Sequence, residues 1–569
     1  MPPIDIEPMR KNSAINGTPL PATMSIWTKI AYRMGLSLLG LAIFYLCGLG
    51  TGPVLFKAAV FSVMVNIGLA GTLESWGRAR LASRLWLGFS AIFFLSAAVK
   101  GFLFLMYGMS PKDTLVIDAL AGTTGSEVRE FLSTYWRTLL LISGVWIVAM
   151  APLVGFERFA LKRSASRPSH WGSRLATTFV LLVLVGLHAN RTVANENPLV
   201  YWPSQYARYE DHQKHMETIR KMMADQEKDV SDDPISYHGP ESNTVVLIIG
   251  ESVNRANWSL YGYSRDTTPN LDKMRDDLLV FKDVISADAA TAQSLLKMLT
   301  PATIEHPDLW AEKPSILALA KRAGYEVQWL SNQERSDGWI QLLAGQADEQ
   351  VFVNNGSGRS ITSLDEQLIP VFERALLDPT PRKFIIVHMQ GAHLRYGLRY
   401  PAPYKKFSSA QEDDVSRSME KASRSFWIRN ARNEYDNAML YGDYVLSEFI
   451  RLAEKHLDDK SAQLMFVSDH GQEVGHNRDF AGHSKLDPSG YEIPAFLWSP
   501  QTEHAGFARR DVVEKRAYQA DRLDNTLLAL LQINTEYYNP KDDLLSASFQ
   551  PVKRMQGAIS YVASPARPH

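Results

Sequence analysis

The sequence predicts a protein in two parts: a five-helix transmembrane domain at the amino terminus, then an α/β domain with a mostly parallel central sheet. Three observations carry this. Long apolar runs fill the first third of the 569 residues and then stop. Lys and Arg gather on alternate sides of those runs, as in a chain threaded through a bilayer. From Thr244 onward, β-rich runs alternate with helical ones, the pattern of a parallel sheet covered by helices. The mean hydropathy of -0.16 averages these unlike parts.

A bilayer core takes about 20 helical residues to cross. Runs near Ile30–Gly48, Val54–Leu73, Leu85–Met106 and Leu139–Phe156 meet that length, and Leu175–His188 is shorter. Arg10, Lys11 and Lys29 precede the first run. Arg78, Arg80 and Arg84 follow the second, and Arg158, Lys162, Arg163, Arg167 and Arg174 follow the fourth. The segment between the third and fourth carries Asp113, Asp118, Glu127 and Glu130 instead. The amino terminus is therefore expected on the cytoplasmic side and, after an odd number of spans, the soluble part outside. The polar tail before Trp27 is too long for a cleavable signal peptide, so the first run reads as an anchor. The expected divisions are a tail 1–29, a membrane domain 30–190, a connector 191–243 and a catalytic domain 244–569.

The connector opens with Tyr201, Trp202 and Tyr206 as headgroup anchors. It continues through a charged helix, Tyr209–Gln226, into the loop EKDVSDDPISYHGPESN. A formal net charge of -1 lacks the basic footprint of a nucleic-acid binder. Cys47 is the lone cysteine, so no disulfide forms within the chain.

Strands are predicted at 245–250, 279–285, 326–331, 383–389, 462–468 and 493–499, with helices at 315–324 and 436–456. Chemistry-bearing residues follow four of the strands. Glu251 ends VVLIIG, and Thr291 lies shortly after LVFKDVI. His388 and His393 sit in IIVHMQGAH. Asp469 and His470 end AQLMFVS, and His483 follows in FAGHSK. In a parallel sheet all of these reach the carboxyl edge. Each has a plainer reading. Thr291 could be a helix cap, His388 a core histidine, and His476 competes with His483. Together, two carboxylates, an imidazole and a hydroxyl suit zinc or manganese. A metal is what a threonine needs to become a nucleophile at neutral pH. His393 and His483 would stabilise phosphoryl oxygens, protonate a leaving group or hold a second metal.

GESVNRANWSLYGYSRDTTPNL, DVISADAATAQSLLKMLT, FIIVHMQGAH and VSDHGQEVGHN resemble the membrane-anchored phosphoethanolamine transferases of the alkaline phosphatase/sulfatase superfamily. AGYEVQWLSNQ, ADEQVFVNN and YDNAMLYGDYV look most like the branch that modifies heptose of the lipopolysaccharide core. The resemblance implies an α/β domain of the alkaline-phosphatase/sulfatase kind in the periplasm, anchored in the inner membrane. It implies phosphatidylethanolamine as donor and a lipopolysaccharide or other envelope glycan as acceptor. Glu251, Thr291, Asp469 and His470 would hold zinc, with Thr291 as the nucleophile that carries phosphoethanolamine. His393 and His483 match the family's phosphate-binding histidines, and His388 has a counterpart of unassigned role. AGTTGSEVREF is similar to the family's T-N-x-x-E donor-headgroup segment, so Thr123 and Glu127 would meet ethanolamine, although Thr124 replaces the asparagine.

The chain departs from the family in two places. Lipid A-modifying members bracket the nucleophile with a disulfide, and Ala287 and Lys297 stand where those cysteines would be. Asp337 stands where some members have a donor-pocket lysine. The first departure argues against the lipid A branch. Other readings are a phosphoglycerol transferase of the lipoteichoic-acid type, a lipid A or periplasmic glucan acceptor, and a non-catalytic glycan sensor.

Overall fold

The computed structural model describes residues 24–47, 52–107, 125–163, 169–228, 235–333, 339–354, 363–410, 412–457, 461–500 and 509–562. The chain divides into two compact units: Met1–Leu105 with Arg137–Tyr206, and Met106–Trp136 with Ala207–His569.

In the first unit, among the described residues, four helices are long and apolar enough to cross a membrane: Ile26–Leu46, Phe56–Ser75, Ala79–Phe102 and Trp136–Lys162. A shorter apolar helix, Trp171–Leu187, follows. A π-turn at Asn66–Ala70 interrupts the second, where Asn66 Nδ2 donates to the Ser62 carbonyl (2.8 Å). These helices bury a charge network. Lys29 Nζ donates to Glu74 at 2.5 Å, and Arg33 donates to Glu74 at 2.6 Å and to Glu157 at 2.7 Å. Each charge has an opposite partner, without which burial in an apolar bundle would be prohibitive. Lys100 Nζ donates to the Asn195 carbonyl (3.1 Å) and lies over the Tyr201 ring.

Among the described residues, the main sheet of the second unit has eight strands: β1 Asn243–Gly250, β2 Leu278–Ile285, β3 Glu326–Ser331, β4 Glu349–Phe352, β5 Arg382–His388, β6 Ala462–Ser468, β7 Glu492–Trp498 and β8 Ala517–Gln519. Their order is β8-β2-β7-β6-β1-β5-β3-β4. All pairs are parallel except those made by β7, which runs against both β2 and β6. Every residue of β1 is buried, as expected of a central strand covered on both faces. Val245, Leu247 and Ile249 enter one core cluster, and Val246 and Ile248 the other. This is the period-2 alternation of a strand.

The six predicted strands all form, within a residue or two of the expected limits. The short strands β4 and β8 were not predicted; runs of four and three residues carry too little pattern. Within the stretch expected to be a loop, Ser236–Tyr237 pairs with Ile533–Asn534. The helix expected at Tyr209–Gln226 extends over Pro198–Lys228 and takes in the aromatic segment. Its Ile219 and Met223 join the first core cluster.

The reversal at β7 matters for the site. β6 ends at the carboxyl edge and β7 begins there, so residues 469–491 need no crossover and stay on that edge.

Candidate active site

β1 passes from its apolar run through Gly250, where a side chain would strike the Phe466 ring, into Glu251. Glu251 is completely buried. Ser252 next to it adopts φ 60, a left-handed conformation that non-glycine residues seldom take. That turn lets one residue serve two carboxylates. The Ser252 hydroxyl donates to Glu251 Oε1 (2.6 Å), and its backbone N–H donates to Asp469 Oδ1 (3.0 Å). The Tyr435 hydroxyl clamps the turn, donating to the Ser252 carbonyl (2.7 Å) and accepting from the Asn254 N–H (2.8 Å).

The YGYSRDTTPN segment fastens this loop to the long helix Phe426–Leu457. Asp436 accepts from Asn257 (2.7 Å), Tyr263 (2.7 Å) and Arg265 (2.6 Å). Asp443 accepts from the backbone N–H groups of Asn270 and Leu271. The motif is thus a buckle beneath Glu251.

Thr291 is the first residue of the helix Thr291–Leu299. Its hydroxyl donates to Glu251 Oε2 (3.1 Å) and lies 3.3 Å from His470 Nε2. The same nitrogen is 3.5 Å from Glu251 Oε1 and 3.4 Å from Asp469 Oδ2. The other ring nitrogen of His470 bonds the Gly471 carbonyl (2.7 Å), which fixes the ring. Asp469 Oδ2 is buried and makes no hydrogen bond. An orphaned carboxylate oxygen facing an imidazole, a second carboxylate and a hydroxyl is what a divalent cation would satisfy. Glu251, His470 and His483 each offer a ligand atom, all within 4.8 Å of one another.

Burial, then the neighbouring Asp469 carboxylate, pushes Glu251 up to about 7. Burial opposes the imidazolium of His470, but the Asp469 and Glu251 charges overcome it and raise the group. Both shifts favour the protonated forms, with which a cation bound there would compete.

The other expected residues separate. The His483 ring lies 4.5 Å from that of His470 and 5.6 Å from that of His393, so these three line one wall. His388 is fully buried with both ring nitrogens unbonded, edge-on to Trp329, and burial lowers it to about 4, which keeps it neutral. His476 bonds Asn257 Oδ1 (2.7 Å) and so belongs to the buckle. Thr123 and Asp337 lie outside the described residues, as does the side chain of Glu127, whose backbone is in the helix Gly125–Lys162.

Sequence reasoning missed Ser252 and Gln333. Gln333 Nε2 donates to the Met389 carbonyl (2.7 Å) and reaches Glu251 Oε2 at 3.5 Å. For Gln333, the available signal was a polar residue just past a strand end. A positive φ at a serine leaves no trace in composition.

The sulfatase family profile matches residues 243–533. Phosphoethanolamine transferase EptC of Escherichia coli strain RS218 is 28% identical over 491 residues, covering 80% of this chain and 81% of the relative. The crystal structure of the periplasmic domain of EptC from Escherichia coli, in complex with zinc, superposes with a TM-score of 0.52 at 29% identity, over 56% of this chain and 91% of that one. The integral membrane lipooligosaccharide phosphoethanolamine transferase A of Neisseria meningitidis shares the fold over 92% of this chain and 99% of its own (TM-score 0.59, 21% identity).

Proposed function

The chain belongs to the sulfatase family, among its phosphoethanolamine transferases, and on that premise we propose that it moves phosphoethanolamine from phosphatidylethanolamine to an envelope glycolipid, the lipopolysaccharide core heptose, through a phosphorylated Thr291. The observation that carries this reading is the Thr291 hydroxyl, held between Glu251 and His470 at a helix amino terminus. In this reading residues 30–190 anchor the chain in the inner membrane with its amino terminus in the cytoplasm. Residues 191–243 connect, and 244–569 work in the periplasm.

Glu251, Thr291, Asp469 and His470 would hold zinc, a donor set that fits because it leaves Asp469 Oδ2 otherwise unsatisfied. Bound there, zinc lowers the pKa of a ligated hydroxyl and neutralises phosphoryl charge. The side chains do the rest. Thr291 Oγ1 releases its proton along the bond it already makes to Glu251 and attacks phosphorus. The new bond is Oγ–P; the bond broken joins phosphorus to the diacylglycerol oxygen, which leaves with a proton from His393 or His483. An acceptor hydroxyl, giving its proton back to that histidine, then attacks the same phosphorus; the Oγ–P bond breaks and Thr291 regains the proton held by Glu251. The amino terminus of the Thr291 helix favours the phosphoryl oxygens in both steps. Thr123 and Glu127 are assigned to the ethanolamine headgroup on motif position alone.

Intact-mass spectrometry of the full-length protein incubated with phosphatidylethanolamine tests the intermediate. We expect a phosphoethanolamine adduct mapping to Thr291 and none in T291A; transfer retained by T291A would sink the assignment. Mass spectrometry of envelope glycolipids, with and without the intact gene, identifies the acceptor.

A further inference from the structure

Asp365 lies outside every motif above, yet its carboxylate ties together three loops at the carboxyl edge. It is buried, 4% exposed, and opens a short turn after a loop. Oδ1 accepts from the Gln390 N–H (2.7 Å) and from Asn332 Nδ2 (2.9 Å), and Oδ2 accepts from the Gly391 N–H (2.9 Å). Asn332 follows β3, and Ser363 holds it in turn by donating to its Oδ1 (2.6 Å). Gln390 and Gly391 form the first turn after β5 and lead directly to His393.

The same turn is pressed against Glu251. Gly391 has φ 52, and a Cβ there would fall 2.5 Å from the Glu251 carbonyl oxygen. The next N–H, that of Ala392, donates to that oxygen (2.9 Å). The backbone that leads into His393 is therefore the backbone that packs behind Glu251, and Asp365 holds the two successive N–H groups, of Gln390 and Gly391, that open it. Two successive N–H groups at a buried turn need an acceptor, and a carboxylate is the strongest available.

From this geometry we infer that Asp365 is a positioning residue: it sets the place of His393 relative to Glu251 and acts on phosphoryl transfer through that histidine. The inference rests on the transferase reading above. A wild-type protein that does not transfer would defeat that reading, whereas a wild type that transfers and a D365N variant that matches it would defeat only this one.

The experiment uses zinc-loaded, full-length protein and follows turnover together with inorganic phosphate binding by calorimetry, in D365N, H393A and the double variant. D365N should lose about tenfold to a hundredfold in turnover, the range seen when an outer-shell partner is removed. Its phosphate affinity should fall in step. The double variant should be no slower than H393A to within about twofold, because coupled residues do not add. Wild-type turnover in D365N, or losses that multiply, would overturn the inference. If D365N does not fold, D365E keeps a carboxylate in place but displaces it from the Gln390 and Gly391 N–H groups. It must show the same loss and the same non-additivity with H393A; wild-type turnover or a multiplying loss there overturns the inference equally.

Discussion

Ser252 shows how much a single backbone dihedral can organise. At φ 60 it presents its hydroxyl to Glu251 and its N–H to Asp469, aligning two carboxylates from different strands. S252A removes only the hydroxyl bond, so zinc affinity should fall by about tenfold to a hundredfold while the fold persists; competition with a chromophoric chelator measures it. Protons enter the same balance. Glu251 keeps its proton up to about 7, and His470 is raised as well, so zinc must displace them. Apparent affinity should therefore rise with pH by at least about one decade per unit below 7 and level off only once His470 has also lost its proton. Titrations from acid to neutral pH check this, and E251Q should have a shallower slope. At this scale the sequence was partly legible. Glu251, Thr291, Asp469 and His470 stand out because polar residues follow apolar runs. Ser252, Gln333 and Asp365 do not, because their importance lies in what they bond.

Strands were legible as β-rich runs and helices as the segments alternating with them, but strand direction was not. Nothing in IPAFLW shows that β7 runs against its neighbours, and that reversal keeps residues 469–491 over the site. The buried charges also escaped notice. Lys29 looked like an orientation signal, whereas in the fold it pairs with Glu74 inside the helices. Removing one partner of a buried pair strands the other. E74A should cost about 3–5 kcal/mol in the first unit, seen as a lowered unfolding temperature in detergent. An unchanged melting profile would show that the network contributes no stability.

On the scale of the whole molecule, the two compact units should respond differently to metal. Zinc bound only by the native second unit stabilises it by mass action, about 2.7 kcal/mol at a free concentration 100 times Kd. Chelation should lower the melting transition of that unit and leave that of the first unchanged, as differential scanning calorimetry can resolve. Two transitions moving together would mean that the units unfold as one.

The charge network also bears on how the chain is made. Arg33 precedes its partner Glu157 by 124 positions. At roughly 5–20 residues per second, the ribosome delivers Glu157 about 6–25 seconds after Arg33. Glu74 is made first, 41 positions after Arg33, and is the carboxylate available to both Lys29 and Arg33 during that interval. The charge network is complete only when the helix carrying Glu157 arrives, so its two carboxylates join Arg33 in sequence order, Glu74 before Glu157.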